Sequence, residues 1–530
     1  MALTDVNPAV AATPSIPDQF NVATYFVDRN VDQGRGDNVA IETFPAGVQI
    51  TYRQVLEGVN RFGNALRDAL GVRIEERVLL LLLDCPEYVY SFFGSIKAGV
   101  VPIPTSTLFR PDNYEYILND SRARVVVISE ALLPQLQAIP HERLRYLRDV
   151  VVVGNNMPAG MHAFADLIAA ASPDLEAEPT SKDDAAFWLY SSGSTGFPKG
   201  CVHQHRDMVV CTDLYARGVL DISEHDRCFS VAKLFFAYGL GNGLYFPFAV
   251  GATTVLFAGP PTPANVLEIV KAHRPTLFFS VPTNYAQILA FEGEGDFSSV
   301  RWAISAGEAL PPAIFERFEK RYGVKILDGI GSTEILHIFI SNQPGAIRPG
   351  SSGKPVPGYA TQIVDDAGQP VPVGEIGNLL VKGASTCARY WNKHDKTRET
   401  IAGQWIRTGD KYYADADGFL WYAGRGDDML KVGGIWVSPV EVENALVEHP
   451  AVLEAGVVGR EDHDKLVKPL AYVVLAPGQT GSPELAKELQ DFVRGKLAEY
   501  KRPRWVEFVA ELPKTGTGKT QRFKLRELSS

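Results

Sequence analysis

The sequence has little cysteine, no basic excess and no long apolar run, and each absence closes off a class of protein. Five cysteines stand among 530 residues. Cys85, Cys201, Cys211, Cys228 and Cys387 form no Cys-x-x-Cys pair and no Cys/His spacing suited to zinc. They read as buried free thiols of a reducing compartment, not as a disulfide framework. The formal charge of −10 leaves no cationic surplus to neutralise nucleic-acid phosphates. "VLLLLLD" at 78–84 is too short to cross a bilayer and reads as a buried strand. The first basic residue is Arg29, and no apolar stretch of signal-peptide type precedes it. The expectation is a soluble, cytoplasmic protein with neither nucleic-acid nor membrane partners.

What is present is ordinary in amount and ordered in pattern. An apolar fraction of 45% with 22% charged residues suits a globular protein, and the length calls for more than one core. Residues 1–20, rich in Pro and Ala, read as a loose arm. "RVLLLLL", "EYVYSFFGSIKAG", "VVPIP", "NYEYILNDSRA" and "RVVVIS" then follow as strand, helix, strand, helix, strand. The rhythm recurs around "TTVLFA" and "WAISAG", and implies α/β sheets with helices on their faces. Beyond about 345, Pro/Gly-punctuated short strands predict a β-rich lobe. From about 428 a small α+β unit begins. The predicted organisation is a large N-terminal domain over 21–426, with two mixed βαβ-type sheets plus the β-rich lobe, and a small mobile C-terminal domain over 427–530.

One stretch asks for a chemical reading. "WLYSSGSTGFPKGCVHQH" (188–205) sets serines, a threonine and glycines between an apolar strand and Lys199. Such a loop can turn backbone N–H groups and hydroxyls toward an anion, with the lysine adding charge. Pro198 before Lys199 and Gly200 after it break the Walker pattern. On the residues alone, a plain linker and a phosphate grip stand level.

"YSSGSTGFPKG" resembles the phosphate loop of the adenylate-forming superfamily, which comprises acyl- and aryl-CoA ligases, adenylation domains and luciferases. Six further motifs of that superfamily follow in order over nearly the whole chain. They are "SAGEALP" from 305, "DGIGSTE" from 328, "GEIGNL" from 374, "RTGD" from 407, "GRGDDMLKVGG" from 424 and "PKTGTGK" from 513. The resemblance implies that Ser191, Ser192, Gly193, Ser194, Thr195, Gly196 and Lys199 hold the phosphates of ATP. Gly307, Glu308 and Ala309 would line one face of the adenine, with Asp328 at its edge. Gly329, Ile330, Gly331, Ser332 and Thr333 would complete the wall. An aromatic residue often stands in the family where Ile330 stands here, so stacking there should be weaker. Asp410 would take the ribose hydroxyls with Arg425 nearby, and Glu334 with Thr195 would partner Mg²⁺, to which hard oxygens are suited.

The same resemblance makes Lys519 the catalytic lysine, bringing the acid carboxylate and the α-phosphate together. Two anions must meet, and one cation lowers their repulsion. Asp427 becomes the hinge about which the small domain turns between half-reactions. Lys431 and the Gly433–Gly434 turn would then enter and line the tunnel for CoA. The cluster "KLAEYKRPR" is either a solvated helix end or a contact for CoA phosphates.

"LFFAYGLGN" and "EILHIFIS" resemble benzoate–CoA ligases in particular. Activators of α-amino acids carry Asp where Ala237 stands, and a buried ammonium without that partner is costly. Phe236, Ala237, Tyr238, Leu240, His337 and Ile338 would border an aryl pocket, with Ser305, Ala306 and Gly329 opposite and Lys519 at its mouth. Tyr238 and His337 would take an ortho amine or hydroxyl, so 2-aminobenzoate rivals benzoate. The expected protein is an AMP-forming aryl-CoA ligase using ATP, Mg²⁺ and CoA, as a monomer or homodimer. The alternatives are a stand-alone adenylating enzyme that loads a carrier protein and a non-catalytic nucleotide binder.

Overall fold

The apolar runs of the N-terminal third pair into a five-stranded sheet. Its order is Val101–Pro104, Arg77–Leu81, Val125–Ser129, Asp149–Val153, His162–Ala163, and all neighbours are parallel. Its inner strands are buried along nearly their whole length. That is why they read as continuous Val/Leu runs and not as alternation. The computed structural model describes residues 14–191, 198–432, 435–463, 465–514 and 520–528.

A nine-stranded sheet forms the second layer. It runs from Lys354–Pro355 through Ile338–Ser341, Ile326–Gly331, Trp302–Ser305, Leu277–Ser280, Arg227–Ser230 and Thr253–Phe257 to Val39–Phe44 and Gln49–Thr51. The middle pairings are parallel, and those at both edges are antiparallel. Its helices start and stop where the sequence punctuates them. Thr262 caps Pro263–His273 by accepting from Asn265 N, and Pro312–Tyr322 ends on Gly323 at φ +72°.

The Ser/Gly-rich stretch lies elsewhere. Ala185–Ser191 and Lys199–Gln204 form an antiparallel pair, with Arg389–Tyr390 as a third strand. These strands form a small sheet of their own, apart from the sheets of the α/β layers. Trp188 packs on Trp391 at 4.4 Å between ring centres, and Trp391 Nε1 donates to the Asp120 carbonyl at 2.9 Å, which ties the sheet to the helix Pro111–Ser121.

The predicted β-rich lobe is present as Ala360–Val364, Gly377–Lys382, Ile401–Ala402, Trp405–Ala414 and Leu420–Arg425, all antiparallel. After it, Val452–Glu461, Val467–Leu475 and Trp505–Phe508 make a three-stranded sheet. Helices Pro439–Val447, Pro483–Lys496 and Arg522–Leu528 accompany it. The whole is a mixed α/β molecule with a large N-terminal domain of several sheets and a smaller C-terminal domain. Among the described residues no helix is long and apolar enough to cross a membrane.

Candidate active site

Two parallel strands bring the central motifs together. Trp302–Ser305 and Ile326–Gly331 pair with Ser305 opposite Asp328, so both deliver their following loops to one edge. Gly307 turns the first loop at φ +98°, a conformation glycine tolerates. Gly329 and Gly331 are demanded by close approach. A Cβ would lie 2.7 Å from Ile340 O at the first and 2.6 Å from His337 O at the second. Asp328 is buried, accepts from Leu310 N at 3.4 Å, and has its other oxygen buried without a partner. Burial pushes its carboxyl up to about 8. The Ser332 hydroxyl, further along the same motif, is likewise buried without a partner. Such groups want a ligand with donors and acceptors at those places.

The next turn holds Thr333 and Glu334 from three sides. The Tyr390 hydroxyl donates to Glu334 Oε1 at 2.7 Å, and Cys387 N donates to the Glu334 carbonyl at 2.7 Å. His203 Nε2 donates to the Thr333 carbonyl at 2.8 Å, while its Nδ1 meets Asp207 Oδ2 at 2.9 Å. His203 and Asp207 are fully enclosed. Lys199 pairs across the hairpin with Ser191, and its ammonium lies 5.0 Å from the centre of the Tyr390 ring. Ser191, Lys199, Thr333 and Glu334 therefore converge. Ser192, Gly193, Ser194, Thr195 and Gly196 lie outside the described residues.

The acid-binding candidates gather on the helical stretch that starts at Ala237–Leu240 and continues through Gly241–Tyr245 and Phe246–Val250. His337 lies across it, with ring centres 4.5 Å from Phe246, 5.5 Å from Tyr215 and 5.6 Å from Tyr238. Burial lowers its pKa to about 3, so it is neutral. Its Nε2 faces two acceptors, Asn242 Oδ1 at 3.1 Å and Tyr238 O at 3.3 Å, so the proton sits there. Nδ1 is then an acceptor, buried and unpartnered. The Tyr238 hydroxyl faces the Ser280 and Ile304 carbonyls, each at 3.3 Å. Its proton is committed to the main chain, which leaves it only acceptor capacity toward a ring substituent. Phe236 and Ala237 are half-exposed, Leu240, Ser305, Ala306 and Ile338 buried.

Asp410 and Arg425 pair at 3.1 Å across neighbouring strands of the β-rich lobe. Asp427 is exposed, and the next residue, Asp428, takes Arg526 at 2.8 Å. Lys431 is exposed on the short strand Leu430–Val432. Gly433, Gly434 and Lys519 lie outside the described residues, but Thr520 N donates to Glu308 Oε1 at 3.0 Å. The residue after Lys519 thus sits against the proposed adenine wall.

The model of the AMP-binding enzyme family matches residues 27–391, and that of the AMP-binding enzyme C-terminal domain matches 441–519. The chain belongs to the AMP-binding enzyme family. Among curated relatives, the benzoate–CoA ligase of Thauera aromatica is 51% identical over 515 residues, covering 96% of each chain. Among solved structures, the anthranilate CoA ligase AuaEII in complex with anthranoyl-AMP has a TM-score of 0.95 at 47% identity. That match covers 98% of this chain and 99% of the other. A benzoate CoA ligase from Burkholderia xenovorans LB400 has a TM-score of 0.89 at 47% identity, over 96% of this chain and all of that one.

Within this AMP-binding enzyme, sequence reasoning missed Tyr390, His203, Asp207 and Asn242. The pair His203 and Asp207 had a weak signal, an i,i+4 spacing just after the phosphate loop. Tyr390 had none. Among the described residues no three His, Cys, Asp or Glu side chains converge to hold a metal ion. A cation at Glu334 would therefore draw most of its ligands from hydroxyl, water and phosphate oxygens, which fits Mg²⁺.

Proposed function

We propose that the protein activates a small aromatic carboxylic acid with ATP and transfers the aryl group to the thiol of CoA. The acid pocket carries this reading. Ala237 offers no counter-charge for an α-amine, and the Phe246, Tyr215 and Tyr238 rings around a neutral His337 make the surroundings aromatic. The likeness to benzoate– and anthranilate–CoA ligases supports an aromatic acid as substrate and favours CoA over a carrier protein as acceptor.

In the first half-reaction the carboxylate, already ionised, attacks the α-phosphorus of ATP and pyrophosphate leaves. Lys519 would hold the two anions together, and Lys199 with the Ser/Thr-rich loop would grip the departing phosphates. Asp328 would take the exocyclic amine of adenine on its unpartnered oxygen, and Asp410 the ribose hydroxyls. Mg²⁺ bound by Glu334 and Thr195 would supply charge neutralisation of the phosphates. In the second, the CoA thiolate attacks the aryl carbonyl and AMP leaves. The small domain, pivoting at Asp427, would replace Lys519 by Lys431 and Gly433–Gly434. The setting proposed is cytoplasmic, for a monomer or homodimer with domains over 21–426 and 427–530.

The unpartnered Nδ1 of His337 is an acceptor, and an amine ortho to the carboxylate would satisfy it. That sets 2-aminobenzoate beside benzoate as a substrate. The test is pyrophosphate release and thioester formation over benzoate, 2-aminobenzoate, 4-hydroxybenzoate, cinnamate and hexanoate. Turnover of the two named acids to CoA thioesters is expected. Preference for hexanoate, or adenylate without thioester when free CoA is supplied, would overturn the reading.

A further inference from the structure

The corner where the phosphate loop meets Glu334 contains a residue with no role so far. Tyr390 is 3% exposed and lies on the two-residue strand Arg389–Tyr390, paired with Cys201. Two residues back along the partner strand stands Lys199. Strand pairing thus places the Tyr390 ring next to the lysine of the phosphate loop, with the ammonium 5.0 Å from its centre. The hydroxyl reaches the other way, to Glu334 Oε1 at 2.7 Å. A carboxylate can only accept, so the phenol donates. The same segment also touches Glu334 through the main chain, by Cys387 N to its carbonyl.

Two consequences follow from this geometry. A carboxylate on a short turn has free torsions, and the Tyr390 hydroxyl at 2.7 Å, with the Cys201 thiol at 3.9 Å as a longer and weaker donor, holds Oε1 in an orientation that leaves Oε2 for another partner. The ring also takes the lysine by a cation–π contact. Among the described residues Lys199 and Glu334 form no ion pair with each other, so each charge is kept for something else. Outer partners of metal ligands act in this way, setting orientation and tuning affinity.

We infer that Tyr390 is a positioning residue. It aims the Glu334 carboxylate at the divalent cation and holds Lys199 apart from it, so that the cation and the phosphates of ATP each meet their own partner. This rests on the reading of Glu334 as the Mg²⁺ partner, and the experiment separates the two.

Pyrophosphate release is measured against free Mg²⁺ for the full-length wild type, Tyr390→Phe, Glu334→Gln and the double variant. A parallel assay follows transfer of supplied benzoyl-adenylate to CoA. For Tyr390→Phe the half-saturating Mg²⁺ should rise roughly tenfold, the low end for loss of an outer-shell partner, with the transfer step at its wild-type rate. The double variant should be no worse than Glu334→Gln, because the hydroxyl acts only through that carboxylate. A Tyr390→Phe profile superimposable on wild type, with Glu334→Gln shifted, overturns the role of Tyr390. Equal loss in both half-reactions also overturns it, as the mark of a merely structural residue. A Glu334→Gln profile superimposable on wild type overturns the metal reading, and this inference with it.

Discussion

At the scale of single residues, two buried charged groups have opposite electrostatics. Asp328 has no cation beside it, and desolvation raises its carboxyl from 3.8 to about 8. The folded protein therefore keeps a proton that the unfolded chain releases near pH 4. Stability from this group is complete below that pH and is lost as the pH rises toward 8. Asp328→Asn should flatten the decline in denaturation midpoint between pH 5 and pH 8. A decline as steep as in wild type would show that Asp328 does not govern it. Lys97 is the opposite case, 2% exposed, with its ammonium held by Asp28 and by Asn60 Oδ1 at 2.7 Å. Asp28→Ala leaves a buried cation with only an amide. The expected cost is about 3–5 kcal/mol, read from urea midpoints at unchanged slope. A loss within experimental error would mean that the ion pair does not hold the helices there.

At the scale of elements, the proposed acid pocket depends on one close approach. His337, just before the strand Ile338–Ser341, lies over Gly241 in the helical stretch that starts at Ala237. A Cβ at Gly241 would lie 2.5 Å from His337 Cδ2 and 2.7 Å from its Nε2. Gly241→Ala must push the imidazole away from Asn242. Overpacking of this kind costs roughly 1–3 kcal/mol, so the KM for the aromatic acid should rise about tenfold, with the KM for ATP unchanged. A parallel rise in both would place the damage in the fold, not the pocket. Elements of this kind differ in how plainly the sequence announces them. Three strands of the five-stranded sheet, Arg77–Leu81, Val101–Pro104 and Val125–Ser129, were legible because each is an apolar run with a helix after it, whereas Asp149–Val153 and the two-residue His162–Ala163 follow one another with no helix between. The glycines of "DGIGSTE" were legible as a motif, although the strand that forces them lies ten residues on. The sheet Arg389–Tyr390 was not legible, because a two-residue strand has no period to read. The Tyr390 contact to Glu334 joins residues 56 positions apart, and that of His203, on the neighbouring strand, to Thr333 joins residues 130 apart. Those pairings are set by topology, which local pattern does not encode.

At the scale of the whole molecule, the question is what sets the small domain against the large one. Among the described residues, polar contacts join them at Glu308 and at Thr283. Thr520 N meets Glu308 Oε1 at 3.0 Å, and Glu308 Oε2 takes Thr283 Oγ1 at 3.4 Å. Lys514 reaches Thr283 Oγ1 at 3.4 Å while pairing with Glu454 on its own domain. Lys514 and Thr520 bridge to each other, and Thr520 is fastened at Glu308. Contacts of this sort are strong enough to select an arrangement and weak enough to exchange. Glu308 stands in the proposed adenine wall, so it joins nucleotide binding to lysine placement. Glu308→Ala should lower the pyrophosphate-releasing step by about tenfold or more, the scale of one hydrogen bond to a charged acceptor. Transfer from supplied benzoyl-adenylate to CoA should fall less, because in the proposed domain alternation Lys519 would have left by then. Lys519→Ala, measured beside it, should abolish the first step and spare the second. If Glu308→Ala depressed both steps alike, the carboxylate would serve adenine alone and the fastening would have no part in domain placement.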